Sequence, residues 1–268
     1  GCYTVQFFLG SPKSFKRKRI TSEDIIATNH LINRFPTVVI THAPYLYNLA
    51  GSKNILAWTN DKNQDIKTKL IIQELEYELN IMANFKMNGV VIHPGNHVNR
   101  ERGCQTIGQS ISMITFASNA TLLLENSAGE GTKLGKTFQE LKLIYDHVDD
   151  MKKKHIGFCI DTAHIFGNGE YDIRNPDEIK RLFQEFDQII GLNKLKLIHL
   201  NDSDECAPFG SKKDRHALIG TGLIWGNSLD SLFILLDYIT KYNIPIVLET
   251  IPIDILTIAN MKKHSEII

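Results

Sequence analysis

Six short apolar segments in this chain each run into a histidine or a carboxylate, and that regularity restricts its folding more than any other feature. Thr37 to Thr41 is followed by His42, Val90 to Ile92 by His93, Thr121 to Leu124 by Glu125, and Ile156 to Ile160 by Asp161. Leu195 to Leu200 carries His199, and Pro245 to Leu248 is followed by Glu249. With Thr4 to Leu9, these stretches are short and apolar enough to read as seven buried strands. Helical spacing fills the gaps. It is clearest from Asp65 to Phe85, where Ile66, Leu70, Ile71, Leu75, Leu79, Met82 and Ala83 recur on one face, with Asn88-Gly89 as the stop. Further helices are expected from Thr21 or Ser22 to Arg34, Gln105 to Ala117, Thr137 to Val148, Pro176 to Ile190, Leu229 to Tyr242, and from about Pro252 onward.

Strand and helix alternate throughout, which implies a parallel sheet covered by helices. In an open sheet the six polar residues would be spread along an edge. In a TIM (β/α)8 barrel the strand ends converge in a ring, and that face carries the active site. The expectation is therefore one α/β barrel domain over residues 1–268. Seven strands leave one to find; either it lies before Gly1 or another segment fills the gap.

The stretch from Leu197 to Gly222, LIHLNDSDECAPFGSKKDRHALIGTG, adds a loop carrying Asp214-Arg215-His216 soon after His199. Alone it reads either as a metal-binding segment or as a strand with a core histidine and a solvated loop. In the barrel reading it joins a set of nine: His42, His93, Glu125, Asp161, His164, His199, Asp214, His216 and Glu249. Each has an ordinary structural alternative, but ionised carboxylates are almost never buried without compensation. Cations supply it. Histidine with carboxylate favours zinc, manganese or iron over calcium or magnesium. The four cysteines lie far apart and contribute no thiolate, so a catalytic zinc site fits better than a structural one. Nine ligands are too many for one ion. Ions about 3.5–4 Å apart under a shared carboxylate suit in-line displacement at phosphorus.

Formal net charge is zero, so nucleic-acid binding would have to come from local patches. Lys13 and the Lys16–Arg19 run form one; the run could equally be a solvated face or a localisation signal. Ala43-Pro44-Tyr45-Leu46-Tyr47 reads as an exposed aromatic turn. The glycine-rich SAGEGTKLG loop lacks the Gly-Lys-Ser/Thr of a nucleotide-binding loop. No stretch is long enough to span a membrane, no signal peptide is evident, and isolated cysteines suggest a reduced intracellular protein.

HPGNH, LENSAGEGTKLG, CIDTAHIFGNGEYD, HLNDS, GSKKDRHALIGTG and PIVLET together resemble the endonuclease IV family of apurinic/apyrimidinic (AP) endonucleases, from about Gln6 to the C-terminus. The resemblance implies a TIM barrel with three zinc ions. His42, His93 and Glu125 match the ligands of the first. Asp161, His199 and Glu249 hold the second with Glu125 as bridge, and His164, Asp214 and His216 hold the third. His97 falls behind the ligands. The implied reaction is hydrolysis 5′ to an abasic site by a metal-bridging hydroxide, leaving a 3′-hydroxyl and a 5′-deoxyribose phosphate, together with cleaning of blocked 3′ ends. Glu249 and Glu125 orient the nucleophile or accept its proton. Tyr45 and Leu46 match the residues that wedge into bent DNA. Lys13 stands where the family has arginine and Phe15 where it has tryptophan. The partner is double-stranded DNA with abasic sites or blocked 3′ ends, met by a monomer inside the cell, with no membrane involved. The family's first strand and helix would lie upstream of Gly1. A metal-dependent sugar isomerase or epimerase of the same barrel superfamily is the rival. It would use Glu125, Asp161, His199 and Glu249, and has no need of His42, His93 or Asp214 with His216. A non-catalytic DNA-binding relic is disfavoured by the complete ligand set.

Overall fold

A computed structural model describes residues 4–15, 19–32, 38–51, 62–85 and 88–250. Lys16, Arg17 and Lys18 of the basic run, and the helix expected from Pro252, lie outside them. The chain divides into two compact units, Gly1–Asn126 with Thr132–Cys159, and Ser127–Gly131 with Ile160–Ile268.

In the first unit, β1 (Thr4–Phe7), β2 (Val38–His42), β3 (Asn88–Ile92), β4 (Leu122–Glu125) and the start of β5 (Ile156–Asp161) pair side by side in that order. Each neighbour pair is parallel. Parallel neighbours need a crossover, and α1 (Ser22–Ile32), α2 (Lys62–Met82), α3 (Arg100–Ser112) and α4 (Phe138–Asp146) supply it. The strands read as unbroken apolar runs because both faces are covered: Val39, Ile40, Val90, Val91, Ile92, Leu122, Leu123 and Leu124 are all buried. Thr21 starts α1, its hydroxyl accepting the Asp24 amide while Asp24 takes the Thr21 amide in return.

Several boundaries differ from the sequence expectation, most of all those of α3 and the end of α2. Helix α3 begins at Arg100 rather than Gln105, because the Asn99 side chain accepts the Arg102 amide and Glu101 sits in the positive first turn. It ends at Ser112, so residues 114–117 lie beyond it. Asn88-Gly89 does not stop α2, which closes at Met82; it opens β3. A Cβ on Gly89 would fall 2.9 Å from Leu123 Cδ1 on the next strand, so that side chain would have to shift.

In the second unit, the end of β5 leads into α5 (Thr162–Asn168), then α6 (Pro176–Ile189) and β6 (Leu195–His199). A two-residue strand, β7 (Asp202–Ser203), pairs antiparallel with β8 (His216–Ala217), and α7 (Asp230–Lys241) leads to β9 (Ile246–Val247), which lies parallel to β6. Asn175 caps α6, with Pro176 in its first turn and Asp177 and Glu178 beside it. Ile179, Leu182, Phe183 and Phe186 form its buried stripe, and Phe183 stacks on Tyr238 of α7 with ring centroids 4.4 Å apart. At about 1.5–3 kcal/mol per buried side chain, that stripe outweighs the cap's ~1 kcal/mol. Among the described residues no helix is long and apolar enough to cross a membrane.

Candidate metal centre

The parallel register brings three strand ends of the first unit together. His42 lies opposite Val91, and Ile92 opposite Leu124, so His42, His93 and Glu125 finish side by side. One ligand atom from each lies within 4.8 Å of the others. His42 Nε2 is 3.2 Å from Glu125 Oε2, and His93 Nδ1 is 3.5 Å from the same oxygen. His42 Nδ1 lies 2.7 Å from the Ala43 carbonyl and therefore carries a hydrogen, which it donates. In a neutral ring this leaves an Nε2 lone pair facing a carboxylate oxygen, with both side chains 1 % exposed. Two electron-rich atoms do not stay buried in that arrangement without a positive charge between or beside them. A divalent cation with nitrogen and oxygen ligands meets that need, so the residues present fit a metal.

The turn after β2 builds a rim beside this cluster. The Tyr45 ring lies 5.3 Å from His42, 5.7 Å from His93 and 5.6 Å from Phe8. Tyr45 is nonetheless 52 % exposed and Leu46 43 %. The Tyr45 amide donates to the Pro12 carbonyl at 3.0 Å, tying the turn to the loop that carries exposed Lys13. Arg19, the described end of the basic run, faces α2: it bonds Glu74 at 3.1 Å and lies over the Tyr77 ring at 4.3 Å. His97 is buried, its Nδ1 donates to the Asn99 carbonyl at 2.6 Å, and its Nε2 has no hydrogen-bond partner. It secures the chain's entry into α3.

The second unit gathers the other candidates around Asp161, which is fully buried. Its Oδ1 accepts the His164 amide at 2.9 Å and so caps α5. That cap sets His164 one turn along, where its Nε2 lies 3.0 Å from Asp214 Oδ2. His216 Nε2 lies 3.1 Å from Asp214 Oδ1 and 3.7 Å from Asp161 Oδ2. His199 Nδ1 is 3.9 Å from Asp161 Oδ2 and 3.4 Å from Glu249 Oε2. Burial opposes ionisation of Asp214, but hydrogen bonds and charge from His164 and His216 hold its carboxyl well below the usual range. Burial likewise works against a charged His216, yet Asp161 and Asp214 raise its pKa on balance. A field that favours cations at these nitrogens also receives a metal ion.

Three residues here had no role in the sequence reading. Asn201 is fully buried, and its Nδ2 donates to Asp161 Oδ2 at 2.6 Å and to Glu249 Oε2 at 3.1 Å. Thr162 fixes Asn201, accepting its amide at 2.8 Å and donating to its carbonyl at 2.7 Å. Asp202 turns toward the 220–224 loop. The signal was present as two polar residues directly after a buried strand, in HLND.

Comparison with known proteins follows the same lines. The family model described as the xylose isomerase-like TIM barrel matches residues 1–232. A protein named "Probable endonuclease 4" from Methanosphaera stadtmanae is 37 % identical over 252 residues, covering 92 % of this chain and 83 % of that one. The crystal structure of endonuclease IV from Thermus thermophilus superposes with a TM-score of 0.77 at 25 % identity, over 99 % of this chain and 90 % of that one. A D-tagatose 3-epimerase-like protein shares the fold alone, with a TM-score of 0.69 at 17 % identity over 99 % of this chain and 89 % of that chain.

Proposed function

Because this chain belongs to the endonuclease IV family of AP endonucleases, DNA-repair nucleases on a TIM barrel, we propose that it hydrolyses the phosphodiester 5′ to an abasic site and also clears blocked 3′ ends. In this reading the products are a 3′-hydroxyl and a 5′-deoxyribose phosphate, and the cofactors are three zinc ions. His42, His93 and Glu125 hold one, Asp161, His199 and Glu249 a second, and His164, Asp214 and His216 a third. The observation that carries the reading is the His164–Asp214–His216 group, with both nitrogens about hydrogen-bond distance from one carboxylate (3.0 and 3.1 Å). A single-metal sugar isomerase or epimerase has no use for it.

Bound zinc would act as a Lewis acid on phosphoryl oxygens and make water a nucleophile at neutral pH. The chain's own residues do the rest. Glu249 accepts the proton of the attacking water: its side chain is 19 % exposed, and its Oε2 is aimed by Asn201. Glu125, 1 % exposed, keeps a fixed negative charge beside His42 and His93. Tyr45 and Leu46 enter the duplex where the abasic nucleotide has left the stack, offsetting an unstacking cost of a few kcal/mol. Lys13 contacts a phosphate as a point charge. The reading takes the protein to act as a monomer, inside the cell.

Metal content and incision of an abasic-site duplex, measured on the same preparation, test this. Chelation should abolish incision, and zinc should restore it. His216→Ala should lower bound zinc and activity while leaving the strands folded, because β8 is a two-residue strand outside the parallel sheet. Active protein without any bound transition metal would sink the reading.

A further inference from the structure

Asp202 is fully buried and lies immediately after Asn201, yet its side chain turns to a different task. Its carboxylate is met by four backbone amides. Oδ1 accepts from Ser203 at 2.8 Å and Ile224 at 2.9 Å; Oδ2 accepts from Gly220 at 3.0 Å and Gly222 at 3.1 Å. A ring of peptide N–H dipoles of this kind makes an internal anion site, here filled by the protein's own side chain.

The loop is shaped to that carboxylate. Gly220 has φ +78°, which suits glycine, and a Cβ on Gly222 would fall 2.4 Å from the Ser203 carbonyl and 2.6 Å from Asp202 Oδ1. Ser203 adds a fifth tie, accepting the Leu223 amide at 2.8 Å. Just before the loop, β8 pairs Ala217 with Asp202 and His216 with Ser203. Further back, Gly210 and Lys212 donate to the carbonyls of Phe166 and Gly167 at the end of α5. The segment holding Asp214 and His216 is thus suspended between two anchors, and Asp202 organises the second.

We propose that Asp202 is the positioning residue for the Asp214–His216 segment, drawing the 220–224 loop onto its carboxylate so that His216 is presented at the distance its metal requires. This rests on the metal reading of that segment. It assigns Asp202 no contact with substrate or metal.

The test uses Asp202→Asn, which keeps the shape but turns an amide NH2 toward backbone donors, and Gly222→Ala, which pushes the loop off from the other side. Both should hold one zinc equivalent fewer than the parent, or hold it at least tenfold more weakly in chelator competition, with the remaining zinc unchanged. The amides of Gly220, Gly222 and Ile224 should exchange hydrogen faster in both. Ser231→Ala is the control, because it removes the 3.1 Å partner of buried Trp225 Nε1 in the same unit and should leave zinc content at the parental level. Parental zinc content and affinity in both variants would overturn the proposal. So would loss of the same equivalent in Ser231→Ala, which would make the effect one of general stability. If the parent itself binds no zinc, the metal reading fails instead, and the exchange data decide Asp202 alone: unchanged exchange overturns its role in the loop.

Discussion

Asn201 Nδ2 lies 2.6 Å from Asp161 Oδ2 and 3.1 Å from Glu249 Oε2, so one amide group holds two carboxylates of the second unit. Its Oδ1 accepts the Glu249 amide at 3.1 Å, completing the clamp. The amide is itself held by the backbone bonds to Thr162. Asn201→Ala should therefore cost roughly 10–100-fold in metal affinity or activity, the range typical for residues that orient ligands. Asn201→Asp should be worse, since it places a third carboxylate where a donor stood. Metal competition and single-turnover incision on the same variants check this; parental values for Asn201→Asp would show the clamp to be dispensable.

The rim beside the first cluster separates binding from chemistry. Tyr45 and Leu46 expose 52 % and 43 % of their surface, although the Tyr45 ring touches His42 and His93. Neither offers a ligand atom. Replacing both with alanine should leave zinc content intact while slowing incision of duplex abasic DNA by about tenfold or more, in keeping with an unstacking cost of a few kcal/mol. Removal of a 3′-phosphate needs less distortion and should suffer less. The ratio of the two rates at equal zinc loading is the measurement, and an unchanged ratio would make them ordinary loop residues.

Gly167 marks the first anchor of the Asp214–His216 segment. A Cβ there would fall 2.7 Å from the Lys213 carbonyl and 3.2 Å from Ala128 Cβ, and its own carbonyl accepts the Lys212 amide at 2.8 Å. Gly167→Ala should cost about 1–3 kcal/mol through overpacking and weaken zinc retention, because Asp214 follows directly. At Gly131, φ is +57° and nothing lies within 4 Å of an added Cβ, so Gly131→Ala should cost only about 1 kcal/mol of backbone strain. Thermal unfolding of the two variants gives the comparison; equal losses would show that Lys213 yields at little cost.

Much of the site was legible because strands and ligands obey short-range rules. Apolar runs ending in His42, His93, Glu125, Asp161 and His199 marked the strands, and parallel pairing then sets neighbouring ends side by side whatever the connecting loops do. The start of α3 was missed because its opening residues are polar: the cap at Asn99 decided it, and apolar periodicity appears only further along. Asn88-Gly89 carries the usual marks of a turn, yet opens a strand, because it pairs in parallel with Val39 and Ile40 of β2.

By itself the sequence determined the strand and helix alternation, the chemical types in the ligand set and the family to which they belong. All of these follow from residue identity and local spacing. Which nitrogen of His42 faces Glu125, that Asp161 both caps α5 and meets His216, and that Asn201 and Asp202 turn to opposite tasks were decided only by the tertiary structure. Those are relations between residues up to 83 positions apart. They are set by strand register, burial and the need to pair every buried polar atom, and none of these is a property of a local stretch of chain.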